Sequence, residues 1–152
     1  MIILGLDPGI ARTGFGVLDT HKPDMFVRCG CLTTSPLETV ENRLVTLAED
    51  LESIIQDVHP DVAVVEQIFF GKNTKTAIQT AQVRGVLLYM LRKHHITVES
   101  LTPLQIKSRL TGYGAAKKQQ IQAVVQRQLR LTHPPQPDDA ADALAAALCF
   151  AP

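Results

Sequence analysis

Residues 1–34 read MIILGLDPGIARTGFGVLDTHKPDMFVRCGCLTT, and their pattern decides what kind of fold can follow. The apolar run at the start stops on Asp7, TGFGVLDT alternates well enough for a second strand, and MFVRCGCLTT supplies a third. Turn residues separate the three, so they predict strands joined as hairpins. The period then changes. Ser35-Pro36-Leu37-Glu38 has the form of a capping box with proline at the first helical position. Val40, Leu44, Leu47, Leu51, Ile54 and Val58 follow at steps of three and four, one stripe of an amphipathic helix that His59-Pro60 ends.

Beyond that point strands and helices alternate. DVAVVEQ (61–67) is a β-branched run ending at Glu66, a second helix is predicted over Thr74–Lys93, and ITVES (96–100) makes a fifth strand. Thr102-Pro103-Leu104-Gln105 is another capping box, opening a short helix to about Leu110. The glycine-punctuated TGYGAAKK (111–118) leads into a helix over roughly Lys117–Leu131, and PDDAADALAAAL (137–148) is the last helix. Hairpin strands followed by α/β crossovers imply a five-stranded mixed sheet with helices on both faces. Right-handed crossovers place the fourth strand beside the first. The expectation is one α/β domain over residues 1–152.

Composition excludes several classes. With 45% hydrophobic and 20% charged residues the chain reads as an ordinary globular protein; it shows no membrane-length apolar run and opens on a strand rather than a signal peptide. Three cysteines, an odd number, argue for reduced, buried thiols and a cytoplasmic setting rather than a disulfide framework. The net charge of zero conceals an asymmetry. Residues 1–66 hold four Lys/Arg against eleven Asp/Glu, whereas residues 67–130 hold eleven Lys/Arg against Glu99 alone. Sustained positive charge of this kind is the footprint expected for a nucleic-acid partner.

The last helix carries Asp138, Asp139 and Asp142 into an otherwise apolar run. Asp138 suits the N-cap and the helix dipole. Asp142 lies deeper, among alanines, and shares a helical face with Asp139. Two such carboxylates repel unless a cation or a proton lies between them. Asp7 and Glu66 end strands that become parallel neighbours, the edge of such sheets at which sites are built. An acid closing a strand is often only a turn residue. Four converging acids without histidine or thiolate suit a hard cation, Mg²⁺ or Mn²⁺, and poorly suit zinc. Beside a basic surface, two divalent ions roughly 3.5–4 Å apart fit displacement at phosphorus.

IILGLDPGIARTGFGV (2–17), VEQIFFGKN (65–73), QVRGV (82–86), TGYGAAKK (111–118) and DAADALA (139–145) together resemble the RuvC-type Holliday junction resolvases, in order and across essentially the whole chain. The resemblance implies a ribonuclease H-like fold, a homodimer, and Mg²⁺-dependent paired nicking of four-way DNA junctions in recombination and repair in the bacterial, nucleoid-associated cytoplasm. It also implies a branch-migration helicase complex as partner. By resemblance Asp7, Glu66, Asp139 and Asp142 are the catalytic metal ligands, with Asp138 the alternative to Asp139. Phe69 matches an aromatic presented to unstacked bases, and Lys107 and Lys118 match basic positions near the active site. Lys117 adjoins them at a helix start, while Lys72, Lys75 and Arg84, like Arg92 and Arg109, are more generic phosphate-contact candidates. The small residues Ala77, Ala81 and Gly85 on the second helix suit close helix approach in a dimer. His94, His95 and His133 are read as structural or surface residues. The sequence stops at Ala151-Pro152, where many members of that family carry a further tail.

Three other functions compete. One is a nuclease on the same fold acting on RNA or unbranched DNA. Another is a kinase-like phosphotransferase, because DPGIARTG resembles the phosphate-binding turn of the actin and hexokinase superfamily, although one lobe is present where those proteins use two. The third is a junction-binding module without catalysis.

Overall fold

The computed structural model describes residues 1–68 and 74–152. In chain order its strands and helices are β1 (Ile2–Asp7), β2 (Arg12–Asp19), β3 (Phe26–Thr33), α1 (Val40–Val58), β4 (Val62–Glu66), α2 (Thr74–Lys93), β5 (Thr97–Leu101), α3 (Pro103–Thr111), α4 (Lys118–Gln128) and α5 (Asp138–Leu148). The sheet order is β3-β2-β1-β4-β5. β1, β2 and β3 pair antiparallel, while β4 runs parallel to both β1 and β5. This is the ribonuclease H-like, five-stranded mixed sheet that the sequence implies.

Strand alternation sorts the core onto two faces. Ile3, Leu18, Val62 and Val64 pack with residues of α3, α4 and α5, including Ile106, Ile121, Val125 and Leu144. Leu4, Leu6, Val17, Ala63 and Val65 face the other way, onto Leu47, Leu51 and Ile54 of α1 and Val83, Leu87 and Leu91 of α2. One-residue steps along a strand therefore choose between the helix layers. Asp7 and Glu66 fall where these runs stop.

Helix α5 lies directly across β1 and β2, and glycine makes that approach possible. A Cβ on Gly5 would collide with the Ala143 carbonyl, and one on Gly14 with the Asp139 carbonyl. The helix backbone thus rests on the strands themselves. Its apolar residues, Ala140 through Leu148 apart from Asp142, are buried.

Two helix starts differ from the sequence expectation. α1 begins at Val40, with Thr39 as its N-cap accepting from the Asn42 N–H at 3.3 Å; Ser35 instead accepts from the Leu37 N–H in a preceding turn. The Ser-Pro pair makes a local turn, and a second hydroxyl five residues before Leu44 caps the helix. α5 has Pro137 at its N-cap, so Asp138 is the first helical residue and its carboxylate is free for other elements. The capping box at Thr102 forms as read, with Gln105 accepting from the Thr102 N–H at 2.8 Å and donating its own backbone N–H to the Thr102 hydroxyl at 3.1 Å. Cys29 and Cys31 lie on β3 and are half-buried rather than buried, as is Cys149; all three are free thiols. Among the described residues no helix is long and apolar enough to cross a membrane.

Candidate functional site

β1 and β4 are in parallel register with Leu6 opposite Val65, so the next residues, Asp7 and Glu66, emerge side by side at the C-terminal edge of the sheet. The Gly14 contact anchors α5 above that edge and brings Asp142 down to it. Asp7, Glu66 and Asp142 line a cavity of about 260 Å³, closed by Pro103, Ile106 and Lys107 of α3, Lys118 and Ile121 of α4, and Ala145. Residues from five elements converge there.

The electrostatics follow from this crowding. Burial, then the carboxylates of Glu66, Asp142 and Asp139, push the Asp7 carboxyl up to about 8, against the opposing charge of Lys118. Burial and then Asp142 push Glu66 up to about 7, with Lys107 and Lys118 pulling it back. Neither side chain has a hydrogen bond or ion pair to another described residue. A field this negative favours a bound proton or a cation.

The two aspartates of α5 are differently placed. Lys118 Nζ lies 2.9 Å from Asp142 Oδ2 and 3.3 Å from Asp138 Oδ2, and Gln122 Nε2 donates to Asp138 Oδ1 at 3.0 Å. Burial works against the Lys118 ammonium, but Asp142 and Asp138 outweigh it and hold its pKa above the ordinary value. Asp139 does not line the cavity. Its Oδ2 lies 2.9 Å from Arg12 Nε, yet this buried atom has hydrogen-bond geometry to no described residue. Cys31 of β3 adjoins this region, and burial, then Asp139, raises its thiol pKa.

The four acids expected to share one cage are therefore gathered at one edge without closing it. Among the described residues no three His, Cys, Asp or Glu side chains stand close enough to hold a metal ion as they are. The physical reason is visible: Lys118 holds Asp142, and Arg12 holds Asp139. The donor set still fits a hard divalent cation on three observations. Its ligating atoms are all carboxylate oxygens, the half-buried Asp7 and Glu66 have no hydrogen bond or ion pair to another described residue, and Asp139 Oδ2 is an orphaned acceptor.

The remaining candidates scatter. Lys107 lines the cavity, and Lys117 stands at the start of α4 beside Lys118 with an exposed side chain. Arg84 turns to the sheet, its Nη2 donating to Ser100 Oγ on β5 at 2.9 Å. Phe69 and Lys72 lie outside the described residues, as does the side chain of Lys75. Ala77 is buried within the chain, whereas Ala81 and Gly85 are exposed. His94 accepts or donates at Glu52, 2.9 Å away on α1, far along the chain from the acids. Sequence reading missed Arg12, whose only signal was a cation just after the DPG turn, and the strand glycines beneath α5.

A family model described as "Crossover junction endodeoxyribonuclease RuvC" matches residues 3–150. A crossover junction endodeoxyribonuclease RuvC from Petrotoga mobilis is 46% identical over 98% of this chain and 92% of its own length. The solved structure titled as Thermus thermophilus RuvC in complex with Holliday junction substrate superposes with a TM-score of 0.91 at 28% identity, covering 98% of this chain and 92% of the other. The yeast mitochondrial Holliday junction resolvase shares the fold, with a TM-score of 0.69 at 15% identity over 97% of this chain and 78% of its own.

Proposed function

Because the chain belongs to the RuvC family of crossover junction endodeoxyribonucleases, and is accordingly a nuclease, we propose that it resolves four-way DNA junctions by paired, symmetric, Mg²⁺-dependent phosphodiester hydrolysis in recombination and repair. The observation that carries this is the placement of Asp7 and Glu66 on adjacent parallel strand ends, with Asp142 descending from α5 into the same lysine-rimmed cavity.

Asp7, Glu66, Asp139 and Asp142 are the ligand set. They would hold two divalent ions, Mg²⁺ or the substituting Mn²⁺, whose chemistry there would be to activate the attacking water and to offset charge on the leaving oxygen. The chain's own part is positioning. Half-buried Asp7 and Glu66 keep fixed directions because strand backbone holds them. Lys107 and Lys118 bring positive charge to the cavity wall, and Lys117 extends it along the rim, where a phosphate backbone would track. Water's oxygen bonds to phosphorus and the 3′ oxygen departs, leaving 5′-phosphate and 3′-hydroxyl ends. Phe69, Lys72 and Lys75 complete the DNA-contacting set, with Phe69 offered to unstacked bases. Arg84 fits this set less directly, since its guanidinium is engaged by Ser100.

Two cuts on opposed strands need two sites related by symmetry, hence a homodimer. The exposed stripe Ile78, Gln82, Gly85 and Tyr89 on α2, spaced at three and four, supports that interface. A branch-migration helicase complex in the bacterial cytoplasm is the partner the family suggests.

The test is a synthetic four-way junction incubated with Mg²⁺ and either wild type or Asp7→Asn. The variant is expected to bind the junction and not cut it. Equal cutting of linear duplex, a flap or RNA would overturn junction specificity. Tight binding without nicking by wild type would leave a non-catalytic module.

A further inference from the structure

Arg12 is the first residue of β2, and its backbone is held in place from both sides. The buried Thr13 hydroxyl donates to the Gly9 carbonyl at 2.8 Å and accepts from the Gly9 N–H at 3.3 Å, closing the turn between β1 and β2. On the outer side the Thr34 N–H donates to the Ala11 carbonyl at 3.2 Å, and the Thr34 hydroxyl donates to Ile10. Asp139 is equally fixed at its backbone, because its carbonyl rests against Gly14. Only the two side chains between these anchors are free to change partners.

Asp139 has two possible destinations. One is Arg12, 2.9 Å away, where it now points. The other is the cavity, since Asp139 shares a helical face with the cavity-lining Asp142 and its charge is felt at Asp7. Its Oδ2 is buried and lacks hydrogen-bond geometry even to Arg12. Such an oxygen is poorly satisfied by its present partner, and a divalent cation would satisfy it better. Arg12, by contrast, has a 57% exposed side chain and loses little by returning to water.

We infer that Arg12 is a positioning residue that holds Asp139 away from the cavity while no divalent ion is bound, and that ion binding recruits Asp139 by displacing Arg12. The inference rests on the metal-site assignment above. It explains why four acids collect at one edge without forming a ready-made cage: Arg12 turns one of them aside and offsets part of its charge, although that charge still reaches Asp7. Displacement needs only side-chain rotation, because the turn at Pro8–Ala11 and the α5 backbone stay where they are.

Four proteins test it: wild type, Arg12→Gln, Asp139→Asn and the double variant. Calorimetric titration with Mn²⁺ in the absence of DNA is expected to show tighter binding by Arg12→Gln, roughly three- to fivefold for a partly exposed pair. The gain is expected only where Asp139 is present, so Asp139→Asn and the double variant bind alike. An equal gain in both backgrounds would reduce Arg12 to a general charge effect and overturn the proposal, as would no gain. Urea unfolding of the same four proteins gives a second readout by double-mutant cycle. Coupling between positions 12 and 139 is expected in EDTA and expected to vanish at saturating Mg²⁺. Coupling that persists with Mg²⁺ means Arg12 never leaves, and absent coupling in EDTA means it never held Asp139. A wild type that binds no divalent ion at all, yet shows the EDTA coupling, would instead sink the metal-site assignment.

Discussion

Lys118 Nζ stands 2.9 Å from Asp142 Oδ2 and 3.3 Å from Asp138 Oδ2, so a single ammonium at the start of α4 bridges two carboxylates at the start of α5. The same charge also pulls down both Asp7 and Glu66, whose carboxyls lie at about 8 and about 7. Replacing Lys118 with Met removes that pull, and both carboxyls rise further. The acid limb of the pH–rate profile for junction cutting is then expected to move to higher pH. Loss of a charge-stabilising group in the site puts the drop near pH 7 at about 10²-fold. Single-turnover cleavage from pH 6 to 9 measures this, and a loss that stays constant over that range would place Lys118 on the DNA alone.

Asp7 gives a second expectation, in the metal-free protein. Its folded pKa of about 8 lies above the ordinary value of 3.8, so the folded state binds more protons than the unfolded state between those limits. Stability is therefore greatest below about pH 4 as far as this group is concerned, and falls as pH rises toward 8. Asp7→Asn abolishes that contribution. In EDTA at pH 8 the variant is expected to unfold at a higher temperature than wild type, by about 4 °C or more. Below pH 4 the difference should disappear. Mg²⁺ at pH 8 should raise the Tm of wild type and leave Asp7→Asn nearly unmoved. A variant that melts below wild type at pH 8 in EDTA would show that the carboxyl is not strained by burial.

The sheet was legible because its strands are written as short apolar runs and its crossovers have a fixed hand, which is enough to set Asp7 beside Glu66. Helices were legible by period, including Thr74–Lys93 to the residue. Caps were less so. Ser35 and Thr39 both offer a hydroxyl ahead of the same stripe, and only tertiary context chooses Thr39. Side-chain partners were hardest to read. Arg84 has the character of a phosphate contact, but Ser100 is 16 residues away in sequence and nothing local announces it. Arg12 meets Asp139 across almost the whole chain, and a carboxylate quartet in sequence says nothing about which members already hold a cation.

The glycines beneath α5 make a third expectation. A methyl on Gly5 meets the Ala143 carbonyl, and a methyl on Gly14 meets the Asp139 carbonyl, both main-chain atoms that cannot step aside singly. Gly5→Ala and Gly14→Ala are each expected to destabilise by about 1–3 kcal/mol through overpacking. Their functional effects should diverge. Gly14→Ala lifts the turn that carries Asp139 and should weaken Mn²⁺ binding beyond what its stability loss explains, while Gly5→Ala pushes farther along the helix. Urea denaturation and calorimetric titration on both variants separate the two. Equal metal affinity in Gly14→Ala and wild type would detach Asp139 from the ligand set.

Gly85 reverses that logic. A Cβ built there meets nothing within 4 Å, so packing within the chain does not require this glycine, although helix interiors disfavour it. It lies on the exposed stripe with Ile78 and Tyr89, residues that are 59% and 66% exposed. Gly85→Glu should improve α2 as a helix, by up to about 1 kcal/mol, while placing a charge where a second α2 would approach. The expected outcome is a monomer by light scattering with an unchanged or raised unfolding midpoint at low protein concentration. Cutting should then lose its pairing: a monomer nicks one strand, so a junction carried on a supercoiled plasmid should accumulate nicked circles instead of linear product. Retention of a dimer by Gly85→Glu would move the two-fold interface off α2.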